Sequence, residues 1–239
     1  MDLDDIFDDD VKDDLLYESD SFFRAEQLEM EMALISKKDA RDHNAFSVNR
    51  EYINSKAYRD KFDSLPVNRE VVQSIYENCG RLLEAIDSHQ GEGKSTERMI
   101  AINARTGNLI TDNIERENAG NEYHNAFSDK EYREIQKCRD HIILIHNHST
   151  NVAPSAQDLL TYSKEERIRL SVVACHDGTI YAIYGVARDF PEKYNMVLNR
   201  VRENAISEDQ AKVTAITLLY RENEKHPGSR YKLFDVRKF

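Results

Sequence analysis

Between residues 68 and 89, NREVVQSIYENCGRLLEAIDSH, apolar side chains return at Val71, Val72, Ile75, Cys79, Leu82, Leu83 and Ile86. That is the three-and-four spacing of a helix with one buried face. A similar spacing runs through 50–65, with Tyr52, Ile53, Tyr58, Phe62 and Leu65, and Pro66 separates it from the next helix. Residues 21–40 carry Phe22, Phe23, Leu28, Met30, Met32, Leu34 and Ile35 among charges, without Gly or Pro, and predict an amphipathic helix that docks on something. The chain up to residue 90 is therefore expected to be mostly helical.

The period then changes. Residues 97–115, ERMIAINARTGNLITDNIE, predict a hairpin, with Met99, Ile100 and Ile102 before a turn at 105–108 and Leu109, Ile110 and Ile114 after it. Residues 128–138 predict a helix capped by Ser128, with Glu131 completing a capping box. HIILIH, 141–146, predicts a buried strand, and PSAQDLLTYSKEER, 154–167, a helix with Pro154 near its first turn. Two β-rich runs within 169–186 flank Asp177-Gly178, a strong hairpin signal, and 207–224 predicts a last helix. The order implies an α+β (mixed α/β) fold with a central sheet, and no segment repeats.

Charge refines this organisation. The net charge is −11, but residues 1–20 hold ten Asp or Glu and one Lys, so that tail alone carries −9. Such a block predicts a solvated, disordered acidic segment. The division expected is an acidic tail over 1–20, a helical region over 21–90, a catalytic domain over 91–190 and a C-terminal helical segment over 191–239. Near-neutrality outside the tail, without a basic stripe, argues against nucleic acid as a direct partner. No run approaches the roughly 18 apolar residues of a membrane span, and the N-terminus is acidic where a secretory signal is basic. Cys79, Cys138 and Cys175 form no CxxC pair and are odd in number, which fits free thiols in a reducing, cytoplasmic setting.

The chemistry concentrates in LIHNHSTNVAPSAQDLL, 144–160. Side chains alternate on a strand, so His146 and His148 share a face and can reach one ion. Asp158 falls on the first turn of the following helix, facing back toward the strand end. Two neutral imidazoles and one carboxylate, with a fourth position left to water, make a catalytic zinc set, in which the ion lowers the pKa of bound water to about 7. On these residues alone the alternative, two histidines at the edge of a core, stays open.

His146-Asn147-His148 followed by Ser155-Ala156-Gln157-Asp158 resembles the motif of the JAMM/MPN+ (JAB-type) zinc metallopeptidases, closest to the bacterial RadC-like and phage-associated branches. The likeness covers about 90 residues, Glu97 to Val186, and includes the order of strands and helices. The spacing from His148 to Ser155 is one residue shorter than usual in the family, and Ser149 stands where RadC-like members have Pro. The resemblance implies a cytidine-deaminase-like JAMM/MPN domain, a central β-sheet flanked by helices, with a helical N-terminal extension. It implies a zinc-dependent hydrolase, a metalloprotease that cleaves a peptide or isopeptide bond, with His146, His148 and Asp158 as Zn2+ ligands and Ser155 at the oxyanion. The family's general base is an upstream Glu. Glu97 is the choice, because TERMIAINARTGNLI resembles the Glu-led first hairpin of the RadC-like branch, with Glu92 and Glu84 as alternatives. The expected partner is a protein or peptide substrate, a ubiquitin-like conjugate among the candidates. The alternative is a RadC-like or phage-type accessory module that binds a protein or DNA-processing complex without peptidase activity.

Rival signals are weaker. GEGKST, 91–96, resembles the end of a phosphate-binding loop, but Ser88 stands where the first Gly belongs and a helix precedes it. His124, His141 and His176 match no ligand spacing and are expected to be structural or superficial, His89 and His226 solvated, and Tyr181 and Tyr184 packing residues.

Overall fold

A computed structural model describes residues 47–88, 97–115, 127–148, 151–203, 205, 207–225 and 232–239. The acidic tail expected over 1–20, the helix expected over 21–40, Glu92 and the GEGKST stretch lie outside these residues, as do His89, His124 and His226.

The helix expected over 50–65 is two: α1 (Arg50–Ile53) and α2 (Lys56–Phe62). Asn54 and Ser55 divide them, because Asn54 closes the first and the Ser55 hydroxyl caps the second by accepting the Tyr58 N–H. Next comes α3 (Arg69–Ser88), opened by Asn68, whose Oδ1 accepts the Val71 N–H at 2.9 Å. The hairpin follows as β1 (Met99–Asn103) and β2 (Leu109–Asp112), then α4 (Asp129–Lys137) with the Ser128/Glu131 capping box formed. The next strand, β3 (Ile142–His148), runs two residues beyond the apolar run and takes both histidines into the sheet. After it come α5 (Ala156–Lys164), β4 (Ile168–Cys175) and β5 (Ile180–Val186). The chain then adds α6 (Phe190–Arg202), α7 (Glu208–Lys225) and β6 (Phe234–Lys238). Periodicity predicts the second of these, but the segment 191–239, expected to be helical, also holds β6, a strand that pairs with β5.

The six strands form one mixed sheet in the order β2-β1-β3-β4-β5-β6. All neighbours are antiparallel except β3 and β4, which run parallel and are joined over the sheet by α5. The fold is thus mixed α+β, a six-stranded sheet flanked by helices, and its last strand returns to the sheet beside β5.

Strand alternation divides β3 between two cores. Ile143 and Ile145 pack with Ile75, Leu82 and Ile86 of α3 and with Tyr58 and Phe62 of α2. Ile142 and Leu144 face the other way, with Ala101 and with Ile135 of α4. Each fully buried Ile or Leu contributes about 1.5–3 kcal/mol by leaving water. All seven residues of β3 are buried, so the histidines end a strand fixed on both faces. Among the described residues no helix is long and apolar enough to cross a membrane.

Candidate metal centre

His146 and His148 continue the row of Ile142 and Leu144, and both are buried. Asp158 reaches the same point from the first turn of α5. Its Oδ1 lies 3.2 Å from His146 Nε2 and its Oδ2 lies 3.5 Å from His148 Nε2, while the two Nε2 atoms are 3.2 Å apart. One ligand atom from each residue fits within 4.8 Å of the others. Ligands about 2.0–2.1 Å from a tetrahedral ion stand roughly 3.3 Å from each other, so the three form one face of such a tetrahedron. Nitrogen and carboxylate donors in this number suit zinc and leave a position for water. The donor set and its spacing therefore fit a metal ion.

Hydrogen bonds beyond the donors set their orientation. His148 Nδ1 lies 3.3 Å from the Val152 carbonyl, to which it donates when its Nε2 carries the lone pair that faces Asp158. His146 Nδ1 is buried and meets no hydrogen-bond partner among the described residues. Asp158 is held by Ser155, whose N–H and hydroxyl donate to Oδ2 at 2.7 and 2.8 Å. Ser155 is also the N-cap of α5, in a capping box with Asp158. Ser155 itself is exposed.

The charges of the three groups are coupled. Burial on its own would raise the Asp158 carboxyl, but the two imidazoles outweigh it and hold the group well below the usual carboxylate range. Burial would likewise lower His148, yet the hydrogen bond and charge of Asp158, then the charge of Glu97 and the Val152 carbonyl, leave it raised. The influence of Glu97 agrees with the register. Met99 pairs with His146 at the end of the β1–β3 ladder, and an extension in the same register would set Glu97 opposite His148 and on its face of the sheet. Glu84, an alternative for the base, lies on an exposed part of α3.

Residues 151–154, just before Ser155, are held through their carbonyls. Tyr181 Oη donates to Asn151 O and Tyr220 Oη to Pro154 O, both at 2.9 Å, and Val152 O faces His148. Burial first, and then the Asp158 carboxylate, push the Tyr220 phenol up. The segment so held delivers Asp158, with Ser155 on it, to the two histidines. Tyr181, expected only to pack, and Tyr220, which carries no motif, are supports of the site. Nothing local marks them, because each meets its carbonyl across the fold.

The other two histidines among the described residues stand apart from the cluster. His141 is exposed, with Nδ1 3.3 Å from Arg167 O. His176 is buried beneath the cluster, with Nε2 3.3 Å from Asn147 Nδ2. Compared with known proteins, the chain matches no family model, no curated protein and no solved structure.

Proposed function

We propose that the protein is a zinc-dependent metallopeptidase of the JAMM/MPN+ type with a cytidine-deaminase-like fold, hydrolysing a peptide or isopeptide bond. The observation that carries this reading is the convergence of His146, His148 and Asp158 at ligand spacing, with the Ser155 hydroxyl on Asp158. The order of hairpin, helix, HxH strand, SxxD helix and hairpin supports it.

In this reading His146 Nε2, His148 Nε2 and an Asp158 oxygen hold the ion. Zinc there supplies Lewis acidity toward the scissile carbonyl and acidifies water to a pKa of about 7. Glu97 takes a proton from the attacking water as the C–O bond forms and delivers it to the leaving amine as the C–N bond breaks. The Ser155 hydroxyl turns from Asp158 Oδ2, which the Ser155 N–H still holds, and donates its hydrogen bond to the carbonyl oxygen as negative charge develops there. The Val152 carbonyl keeps His148 in the ligating tautomer. Three free cysteines suit a cytoplasmic protein, and a ubiquitin-like conjugate is one candidate substrate.

The test is zinc analysis of the purified chain, followed by fluorogenic peptides and lysine-linked isopeptides assayed with and without chelator. Zinc-restored cleavage that is lost in Glu97→Ala is the expected result. Stoichiometric zinc without cleavage of any linkage replaces the peptidase with the accessory-module reading. Failure to bind zinc overturns both the ion and the chemistry.

A further inference from the structure

Asn147 lies between the two histidines, so alternation turns it away from them, onto the face that Ile143 and Ile145 bury against α3. It is fully buried. An unsatisfied amide there costs about 1–3 kcal/mol, which makes its partners informative. Asn147 Oδ1 accepts the main-chain N–H of Arg98 at 2.7 Å. That contact fixes the amide's orientation, so Nδ2 is the group facing His176 Nε2 at 3.3 Å, and it donates. His176 is itself held by its backbone: its N–H donates to His148 O at 3.2 Å, and its carbonyl accepts the Asn49 N–H at 2.8 Å.

The place of the Arg98 contact gives it meaning. The last pair of the β1–β3 ladder is Met99 with His146, so Arg98 and Glu97 lie beyond it. The Asn147 side chain joins that extension to β3, one residue from the carboxylate whose charge reaches His148. A peptide plane anchored at the Arg98 nitrogen leaves Glu97 little freedom to swing from the ligand face. We infer that Asn147 is a positioning residue for Glu97, holding the proposed base beside the histidines through the Arg98 main chain, with His176 keeping its amide oriented. This rests on the reading of Glu97 as general base, and the test separates the two.

Asn147→Leu and Asn147→Ala delete the acceptor, and the first also fills the space, so it serves if the second does not fold. Asn147→Asp keeps the acceptor. Amide exchange followed by NMR on the zinc-free chain is expected to show Arg98 protected in the wild type and in Asn147→Asp but exposed in Asn147→Leu. In the zinc-loaded chain, Asn147→Leu is expected to retain zinc stoichiometry and KM while kcat falls about ten- to a hundredfold. Combined with Glu97→Gln it should add no further loss, because both act on one group. Losses that multiply, or an Arg98 amide still protected in Asn147→Leu, overturn the proposal. If the wild type cleaves nothing, the peptidase reading falls by itself and Arg98 exchange alone decides whether Asn147 anchors this segment.

Discussion

His146 and His148 hold their Nε2 atoms 3.2 Å apart, and only His148 has its second ring nitrogen beside an acceptor, the Val152 carbonyl at 3.3 Å. Two lone pairs at that distance repel unless a proton or a cation lies between them. A metal ion answers both lone pairs and the carboxylate at once. His148→Ala is therefore expected to reduce bound zinc from one equivalent to a trace while circular dichroism and solubility stay as in the wild type. Full zinc occupancy in that variant, measured by elemental analysis, removes His148 from the ligand set.

Protons and zinc compete for the same nitrogens, and the direction follows from the shifts. The folded, metal-free chain holds the His148 proton more tightly than a free imidazole does. It therefore gains stability from that proton below about pH 6.5 and loses the gain as pH rises through the elevated folded value. Asp158, held low, contributes stability above its unfolded value of about 3.9 and loses it as pH falls through the folded value. Without metal the pair therefore contributes most between those two unfolded values. Zinc needs the deprotonated imidazole, so its affinity should begin to fall while the pH is still above about 6.5, and the stabilisation it confers should grow toward alkaline pH. Competition titrations with a zinc chelator over a pH series measure this, alongside melting curves with and without zinc. Affinity that stays flat down to pH ~6.5 contradicts the raised His148.

Ser155 carries two roles that substitution can separate. Ser155→Ala removes the N-cap and the donor, so α5 should lose about 0.5–2 kcal/mol of stability and hydrolysis should fall by about 10²–10³. Ser155→Gly removes the hydroxyl without adding another side-chain donor and costs an N-cap only about a few tenths of a kcal/mol. Its melting temperature should stay near the wild type while its activity falls as in Ser155→Ala. Wild-type activity in Ser155→Gly would limit Ser155 to helix capping.

The elements readable from sequence are those whose pattern is local. α3 repeats its apolar face over its whole length, Asp177-Gly178 marks its hairpin, and Ser155 with Asp158 writes both a cap and half of a ligand set in four residues. In α6 the buried Phe190, Tyr194, Leu198 and Val201 also follow helical spacing, within the segment expected to be helical over 191–239. β6 is different. FDVRK carries two charged residues at its end and becomes a strand because β5 offers it a partner, which no window of sequence contains. The same holds within the site. His-x-His announces a pair on one face, but the function inferred for Asn147 depends on Arg98 lying across the ladder, and Tyr220 reaches Pro154 from a helix far along the chain.

The N-terminal helices bear on the far side of this site, and Gly178 tests how firmly. It has φ +86°, and a Cβ built on it would lie 2.3 Å from Tyr52 Cδ1, within the α1 ring rather than beside it. Lys61 Nζ donates to the Gly178 carbonyl at 2.8 Å and lies 4.9 Å from the centre of the same ring, so α1 and α2 grip the turn between β4 and β5. Gly178→Ala must strain the left-handed backbone, at about 1–2 kcal/mol, and displace Tyr52, at about 1–3 kcal/mol more. The midpoint of chemical denaturation should fall accordingly. The Asn49 N–H bonded to His176 O lies one turn of chain from Tyr52, so displacing that ring should also loosen His176 and, through it, Asn147. Amide exchange at Arg98 should then rise in Gly178→Ala before global unfolding does. An Arg98 amide that exchanges only with the whole molecule would show that the helical layer grips the turn without reaching the site.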